Sequence, residues 1–411
     1  MKILWVKADK LLPVQNGGNI RTYHVLRYLA ARHELTFYSY YGGCLDSAYE
    51  QDLQKELPGS KAVFTEKRDL TGMARGIDYL LHLSAEAPYA VSRFASEKVR
   101  AEIGEWFVQQ RFDVAVCDFL DAAINFPHEL RIPSILFQHN VESEIWRRHA
   151  ETATNPVMKA MYGLEHRKML RYEEEEVRRF QHVIAVSEND KSLMTRWVGN
   201  DHVTVVPTGV DLGQFRPDPA APEPSPIVTF VGAMDWEANV DGVEYFCGDV
   251  WPTIKEAIPD ARFRIVGRNP DRRVQKWVSD SIQVTGRVPS VIEHLHESAV
   301  VIVPLRIGGG TRLKIYEAMA TGKAVVSTTV GAEGLDVKHG SDIMLADDSK
   351  SFAQAVILLL RDRELRRRYE RAAAATAAQF DWPAVGEKFE RVLESVAGNK
   401  GSLTSVPTRS A

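Results

Sequence analysis

Chemistry concentrates in Gly308-Gly309-Gly310-Thr311-Arg312-Leu313-Lys314, between the apolar run Ala299–Leu305 and the helix-forming run KIYEAMA. Consecutive glycines let a backbone approach a ligand closely and adopt positive φ. Thr311 is a suitable N-cap, and the N–H groups of the helix it opens, aided by the macrodipole, form an anion site. Arg312 and Lys314 fall in the first turn of that expected helix, where cations oppose the dipole. A bound diphosphate turns this repulsion into attraction, and each charge-assisted hydrogen bond contributes roughly 1.5–3 kcal/mol. Glu317, one turn after Lys314, is suited to accept two vicinal ribose hydroxyls. The plain alternative is a tight turn whose cations face water. The joint offsets of Thr311, Arg312, Lys314 and Glu317 favour a diphosphate site.

Other candidates lie where strands end, because open α/β sheets bind ligands beyond the carboxyl ends of their strands. His139 ends the run SILFQHN and is placed to hydrogen-bond a donor hydroxyl or the acceptor. Asp118, Glu142 and Glu333 follow from the same strand-end argument. Gly17-Gly18 separates the first strand from the first helix, either to admit phosphate or acceptor or as an ordinary turn. Arg21, early in that helix, either assists the phosphates or makes a surface ion pair. The loop is not G-x-G-x-x-G, which disfavours a dinucleotide-dependent oxidoreductase. His294 and His296, two residues apart in a helical context, point to different faces and are read as non-metal.

Short apolar runs alternating with amphipathic helices must position these groups. Strands are expected at Ile3–Val6, Leu35–Tyr41, Asp113–Phe119, Ser134–Asn140 and His182–Ser187, with a helix at Asn19–His33. The segment Phe215–Pro226 holds five prolines and little to bury, so it reads as a linker. Alternation then restarts at Ile227–Gly232, Arg262–Gly267, Ile282–Gly286, Ala299–Leu305 and Ala324–Thr329. This pattern predicts α/β architecture with two Rossmann-like domains, residues 1–210 and 227–379, around a cleft, joined by a linker at 211–226. A last amphipathic helix, 380–396, precedes a tail, 397–411, expected to be disordered. The acidic run Glu173–Glu176 and the basic run Arg361–Arg368 are expected to be solvated helix faces. Val157–Gln181 reads as a packed surface helix, with covering the cleft or touching a membrane surface as the other readings.

The chain has 411 residues, enough for two domains, and 45% hydrophobic with 26% charged residues is ordinary for a soluble enzyme. A formal net charge of -4 gives no support for nucleic-acid binding. Cys44, Cys117 and Cys247 are widely spaced, without metal-ligand or disulfide patterning, and fit a reducing, cytoplasmic compartment. The opening MKILWVKADK reads as a buried strand rather than a leader, and no run of about 18 apolar residues is present to span a membrane.

The segment PLRIGGGTRLKIYEAMATGKAVVSTTVGAEGL resembles the donor-site region of retaining GT-B glycosyltransferases of family 4, the glycosyl transferases group 1. VVPTGVDLGQF, FVGAMDW, IVG, VTGRV and a terminal DW before a helix resemble the family's other motifs in order. The resemblance implies that Gly17-Gly18 lets donor phosphate or acceptor approach, that His139 lies beside the reacting sugar, and that Arg287-Val288 hydrogen-bonds the base. Two departures stand out. The family's Glu, seven residues, Glu pattern keeps its second member at Glu317, but its first, which contacts the donor sugar, falls on Gly309. The Arg and Lys usual after the first strand of the second domain are missing: the strand ends Gly232-Ala233-Met234, with Asn239 near the expected Lys. Arg312 and Lys314 are therefore expected to take over phosphate neutralisation.

The implied reaction moves a sugar from a nucleoside diphosphate to the hydroxyl of a glycan, lipid-linked or small-molecule acceptor with retention, in polysaccharide or cell-surface glycan assembly. No metal is expected, because two cations and a helix start serve the leaving diphosphate. Two other readings stay open: a sugar-nucleotide epimerase on the same plan, and a nucleotide-sugar-binding protein with a degenerate site.

Overall fold

The computed structural model describes residues 1–398 apart from 15, 67–69, 220–222 and 308–311. Two compact units form, residues 1–207 with those from 385 onward, and residues 208–384. Among the described residues each unit holds one parallel sheet, as the near-continuous Val-, Ile- and Leu-rich strands require.

In the first unit the strands are β1 (Lys2–Ala8), β2 (Glu34–Tyr41), β3 (Lys61–Phe64), β4 (Val114–Asp118), β5 (Ser134–Phe137), β6 (His182–Ala185) and β7 (Val203–Val205), in the order β3-β2-β1-β4-β5-β6-β7. Sequential strands run outward from β1 on one side and from β4 on the other. The topological switch point therefore lies between the carboxyl ends of β1 and β4. The helices that matter below are α1 (Gly17–Ala30), α2 (Gly72–Leu81), α3 (Glu142–Thr152) and α4 (Pro156–Arg179).

The second unit repeats the scheme with β8 (Ile227–Val231), β9 (Arg262–Val266), β10 (Ile282–Val284), β11 (Val300–Val303), β12 (Ala324–Ser327) and β13 (Met344–Leu345), in the order β10-β9-β8-β11-β12-β13. Its switch point lies between β8 and β11. Its relevant helices are α5 (Glu237–Tyr245), α6 (Leu313–Ala320) and α7 (Arg363–Ala377). A last helix, α8 (Trp382–Gly398), begins in the second unit, where the Trp382 ring lies against Gly209. It ends in the first unit, where Phe389 stacks on Trp5 at 5.2 Å and meets Phe137 edge-on at 5.0 Å.

Several expectations need correction. The acidic run is not a solvated face, since Glu173 is fully buried and Glu176 nearly so. The reason lies in α3, whose N-cap position is Val141, with no side-chain acceptor. Glu173 supplies it, accepting from the backbone N–H groups of Glu142 (2.7 Å) and Ser143 (3.0 Å), from Ser143 Oγ (2.5 Å) and from Gln138 (3.0 Å). In the basic run, Arg366 is buried, donating to the Leu359 carbonyl and pairing with Glu223. Glu223 also pairs with Arg363 and Arg367, and Pro217 packs on Gly322, so the described parts of the proline-rich segment lie against the second unit. The strands β3, β7 and β13 escaped the sequence reading because they are short, four, three and two residues. The last helix extends through residue 398, and residues 399–411 of the expected tail lie outside the described residues.

Candidate functional site

At the switch point of the first unit, Lys7 comes from β1 and Asp118 from the end of β4. A lysine amid the apolar run of β1 is a signal the sequence reading passed over. Its Nζ lies 3.4 Å from Asp118 Oδ2, and both side chains are almost wholly buried. Thr22 Oγ1 donates to the same carboxylate at 2.8 Å. His139, just beyond β5, places Nε2 2.7 Å from Asp118 Oδ1 and Nδ1 2.7 Å from Arg21 Nη1. A guanidinium only donates, so Nδ1 must accept, and the ring proton sits on Nε2 and is given to Asp118. Both ring nitrogens are thus engaged within this unit. The His139 face lies flat on Phe119, 3.7 Å between centroids at 3°.

Phe119 explains Gly18. Its backbone has φ +68, which lays the ring across the start of α1, with Lys7 over it at 4.3 Å. A Cβ on Gly18 would fall 2.5 Å from Phe119 Cζ, so a residue with a side chain displaces the ring from His139. Gly17 opens α1, capped by Asn16, whose side chain accepts from Asn19 N at 2.8 Å. Arg21 lies in the second turn of α1 and is buried, in place of the surface ion pair weighed from sequence.

The electrostatics follow from burial. Burial alone would raise the Asp118 carboxyl, but Lys7, His139 and Thr22 hold it well below the usual carboxylate range. Burial pushes His139 down to about 3, against the pull of Asp118, so the ring is neutral near pH 7. Arg21 is lowered to about 10, also by burial, with Asp190 and Asp118 opposing. Beside this network burial raises Glu142 to about 8, reinforced by Asp121 and Glu173, and raises Asp121 to about 6.

The second unit carries the cations. Arg312 is the N-cap residue of α6 and Lys314 its second residue, so the helix begins one residue later than expected with Thr311 as cap. Gly308, Gly309, Gly310 and Thr311 lie outside the described residues. Lys314 Nζ donates to Asn239 Oδ1 at 2.8 Å and stands 4.5 Å from the centre of the Phe230 ring. Asn239 is fixed in turn, its amide donating to the Ala233 carbonyl at 2.8 Å. Gly232 leaves room for the pair, since a Cβ there would lie 2.7 Å from Asn239 Nδ2 and 2.9 Å from Lys314 Nζ. Arg312 is buried, its guanidinium 5.1 Å from the centre of the Trp236 ring. Trp236, 41% exposed, is a site neighbour that sequence reasoning did not single out. Burial lowers Lys314 to about 7, helped by Arg312 and opposed by Glu317, and burial raises Glu317 to about 7.

Arg287 and Val288 follow β10, after Gly286 at φ +69, with Arg287 exposed. Glu333 lies in the turn after β12, partly buried. His296 contacts the Arg216 carbonyl at 2.9 Å and His294 faces Arg264 at 3.4 Å, different partners on one short helix.

Two family models match the chain in succession, Glycosyltransferase Family 4 over residues 15–214 and Glycosyl transferases group 1 over residues 225–362. The chain belongs to the family 4, group 1 glycosyltransferases.

As in that family, the fold is GT-B. A solved structure of Anabaena HepE in complex with UDP superposes with a TM-score of 0.68 at 15% identity, covering 96% of this chain and 100% of that one. Among curated relatives, the chain is 29% identical over 234 residues to a phosphatidyl-myo-inositol mannosyltransferase of Mycobacterium leprae, covering 54% of this chain and 62% of that protein. The match therefore spans less than two thirds of that relative. An uncharacterized 44.6 kDa protein in the cps region of Klebsiella pneumoniae is 22% identical, with 87% of this chain and 90% of that protein covered. Against the glycosyltransferase pattern, Asn239 is the informative departure: it gives Lys314 a neutral hydrogen-bond partner. Among the described residues, no helix is long and apolar enough to cross a membrane.

Proposed function

We propose that this glycosyltransferase moves a sugar from a nucleoside diphosphate to an acceptor hydroxyl with retention. The observation that carries the reading is the Lys314–Asn239 pair beside Arg312 at the switch point of the second unit. A cation held by a neutral amide oxygen and an aromatic face, as Lys314 is, gains most from an arriving diphosphate. The bond from the anomeric carbon to the diphosphate oxygen breaks, and the acceptor oxygen bonds to the same face of the sugar. The acceptor proton passes to the leaving phosphate. Arg312 and Lys314 stabilise the charge that develops there, with no metal ion invoked, and Glu317 accepts from the ribose hydroxyls. The unplaced candidates Gly309, Gly310 and Thr311 are proposed to wrap the phosphates, with Arg287 and Val288 at the base. His139 is a positioning residue in this reading, fixing Arg21 and the Phe119 ring.

HepE was solved with UDP, which supports a uridine nucleotide as the first donor to try. The mannosyltransferase relative and the cps-region relative support a lipid-linked or polysaccharide acceptor, and with the former a place at a membrane surface. Family membership favours transfer over the epimerase and binding-only readings. Titration with UDP, GDP and their sugar conjugates tests the proposal. Saturable binding lost in Arg312→Ala/Lys314→Ala supports it, and absence of binding to every nucleoside diphosphate overturns it.

A further inference from the structure

The turn after β8 places an indole where local structure gives no reason for one. Trp236 is the N-cap residue of α5, a position that favours Ser, Thr, Asp or Asn, and its side chain supplies no acceptor to the helix start. It is also 41% exposed, whereas Trp5, Trp106, Trp251 and Trp382 are buried. Neither capping nor core packing accounts for it, and a residue that breaks a local rule is expected at a functional position.

The backbone around the ring is firmly set. Trp236 N donates to the Ala233 carbonyl at 3.3 Å, and the Trp236 carbonyl accepts from Asn239 N at 2.9 Å and Val240 N at 3.1 Å. On the preceding residues, Met234 is fully buried and Asp235 Oδ2 accepts from Asn269 Nδ2 at 2.8 Å. The Ala233 carbonyl also receives the side-chain amide of Asn239, the residue that holds Lys314. One turn thus fixes the indole and the partner of Lys314 together. It delivers the ring to Arg312, whose guanidinium lies 5.1 Å from the ring centre, inside the roughly 6 Å reach of a cation–π contact. Arg312 is buried, and a desolvated cation makes the stronger contact of this kind.

An indole face differs from a carboxylate as the partner of a cation. Its quadrupole attracts and orients the guanidinium, but it carries no charge and takes none of the donors in the plane of the fork. An indole therefore does not compete with phosphate oxygens for those donors. Phe230 stands to Lys314 in the same way, with Nζ 4.5 Å from its ring centre. Both cations of the donor segment are backed by a ring from β8 or from the turn that follows it.

We propose that Trp236 is a positioning residue of the transfer reaction, holding the Arg312 guanidinium where it meets the leaving diphosphate. This role rests on the proposed assignment of Arg312 to the diphosphate and adds the group that aims the cation.

Titration calorimetry of the full chain with UDP and with GDP tests it. In Trp236→Ala, affinity for the nucleotide that wild type binds should fall about five- to thirtyfold, the range of a desolvated cation–π contact. Trp236→Leu keeps apolar bulk without a π face and should fall nearly as far, whereas Trp236→Phe should recover most of the loss. This Leu–Phe comparison stands by itself where the alanine variant fails to fold. In an Arg312→Ala background, Trp236→Ala should add less than about twofold, because the ring acts through the guanidinium. Retained affinity in Trp236→Ala, or equal affinity of the Leu and Phe variants, overturns the proposal. So does a full loss repeated in the Arg312→Ala background, which assigns the ring to direct contact with the nucleotide. Wild type that binds neither nucleotide overturns the proposed function and this role with it; wild-type binding indifferent to Trp236 overturns this role alone.

Discussion

The ends of β4 and β8 each border the switch point of their sheet, but they handle charge in opposite ways. Beside β4, the Asp118 carboxylate is met by Lys7, Thr22 and His139, and His139 passes the contact on to Arg21. Opposite charges and hydrogen bonds offset the desolvation, and the carboxylate stays ionised. Beside β8, the Lys314 ammonium is given an amide oxygen and an aromatic face, neither carrying a charge. Burial then prevails and pulls the ammonium down to about 7. The first arrangement satisfies itself, and on the proposed function the second is completed by an incoming diphosphate. That proposal divides the labour: one strand end holds shape, the other holds a leaving group.

The contrast can be broken most directly at Asp118. Asp118→Ala strands buried cations and should cost about 3–5 kcal/mol of stability, read by denaturant unfolding. A cost below 1 kcal/mol would mean that the network is not self-contained. Lys314→Ala should do the reverse, leaving stability nearly unchanged while weakening nucleoside-diphosphate binding by roughly 1.5–3 kcal/mol in calorimetry. Equal losses in folding and binding for both variants would erase the distinction.

Two pH experiments sharpen it. Lys314 is charged below about 7 and neutral above, so diphosphate affinity should fall as pH rises through that value. Lys314→Arg should remove this alkaline limb, and a limb that persists assigns it to another group. His139 titrates the other way with respect to folding. The unfolded ring takes a proton near 6.5 and the folded one near 3, so its stability contribution is present above 6.5 and is lost as pH falls toward 3. The thermal midpoint should therefore drop more steeply in that window than it does for His139→Gln. The smallest effect is expected at Gly18→Ala, where the Phe119 ring must move, at about 1–3 kcal/mol by thermal unfolding.

Much of the architecture is readable along the chain. The runs ILWV, SILF and VVIV become central strands because their apolar, mostly β-branched residues are buried on both faces of a parallel sheet. His139 and Asp118 stand out by position alone, at strand ends. The role of His139 does not, because it depends on which groups meet Nδ1 and Nε2, from positions 118 and 21 residues away in the chain. Glu173 misleads for a related reason: an acidic run on a helix reads as solvated unless one knows that a neighbouring helix start lacks its own cap.

The sequence by itself determined the family, the two parallel sheets and the cations of the donor segment, since local periodicity and the order of motifs are properties of the chain. The tertiary structure decided which charges are satisfied. Asp118 became a fixed, ionised centre and Lys314 an ammonium lowered toward neutrality because a charge deep in a protein is governed by the few groups within hydrogen-bond reach, and those arrive from distant strands.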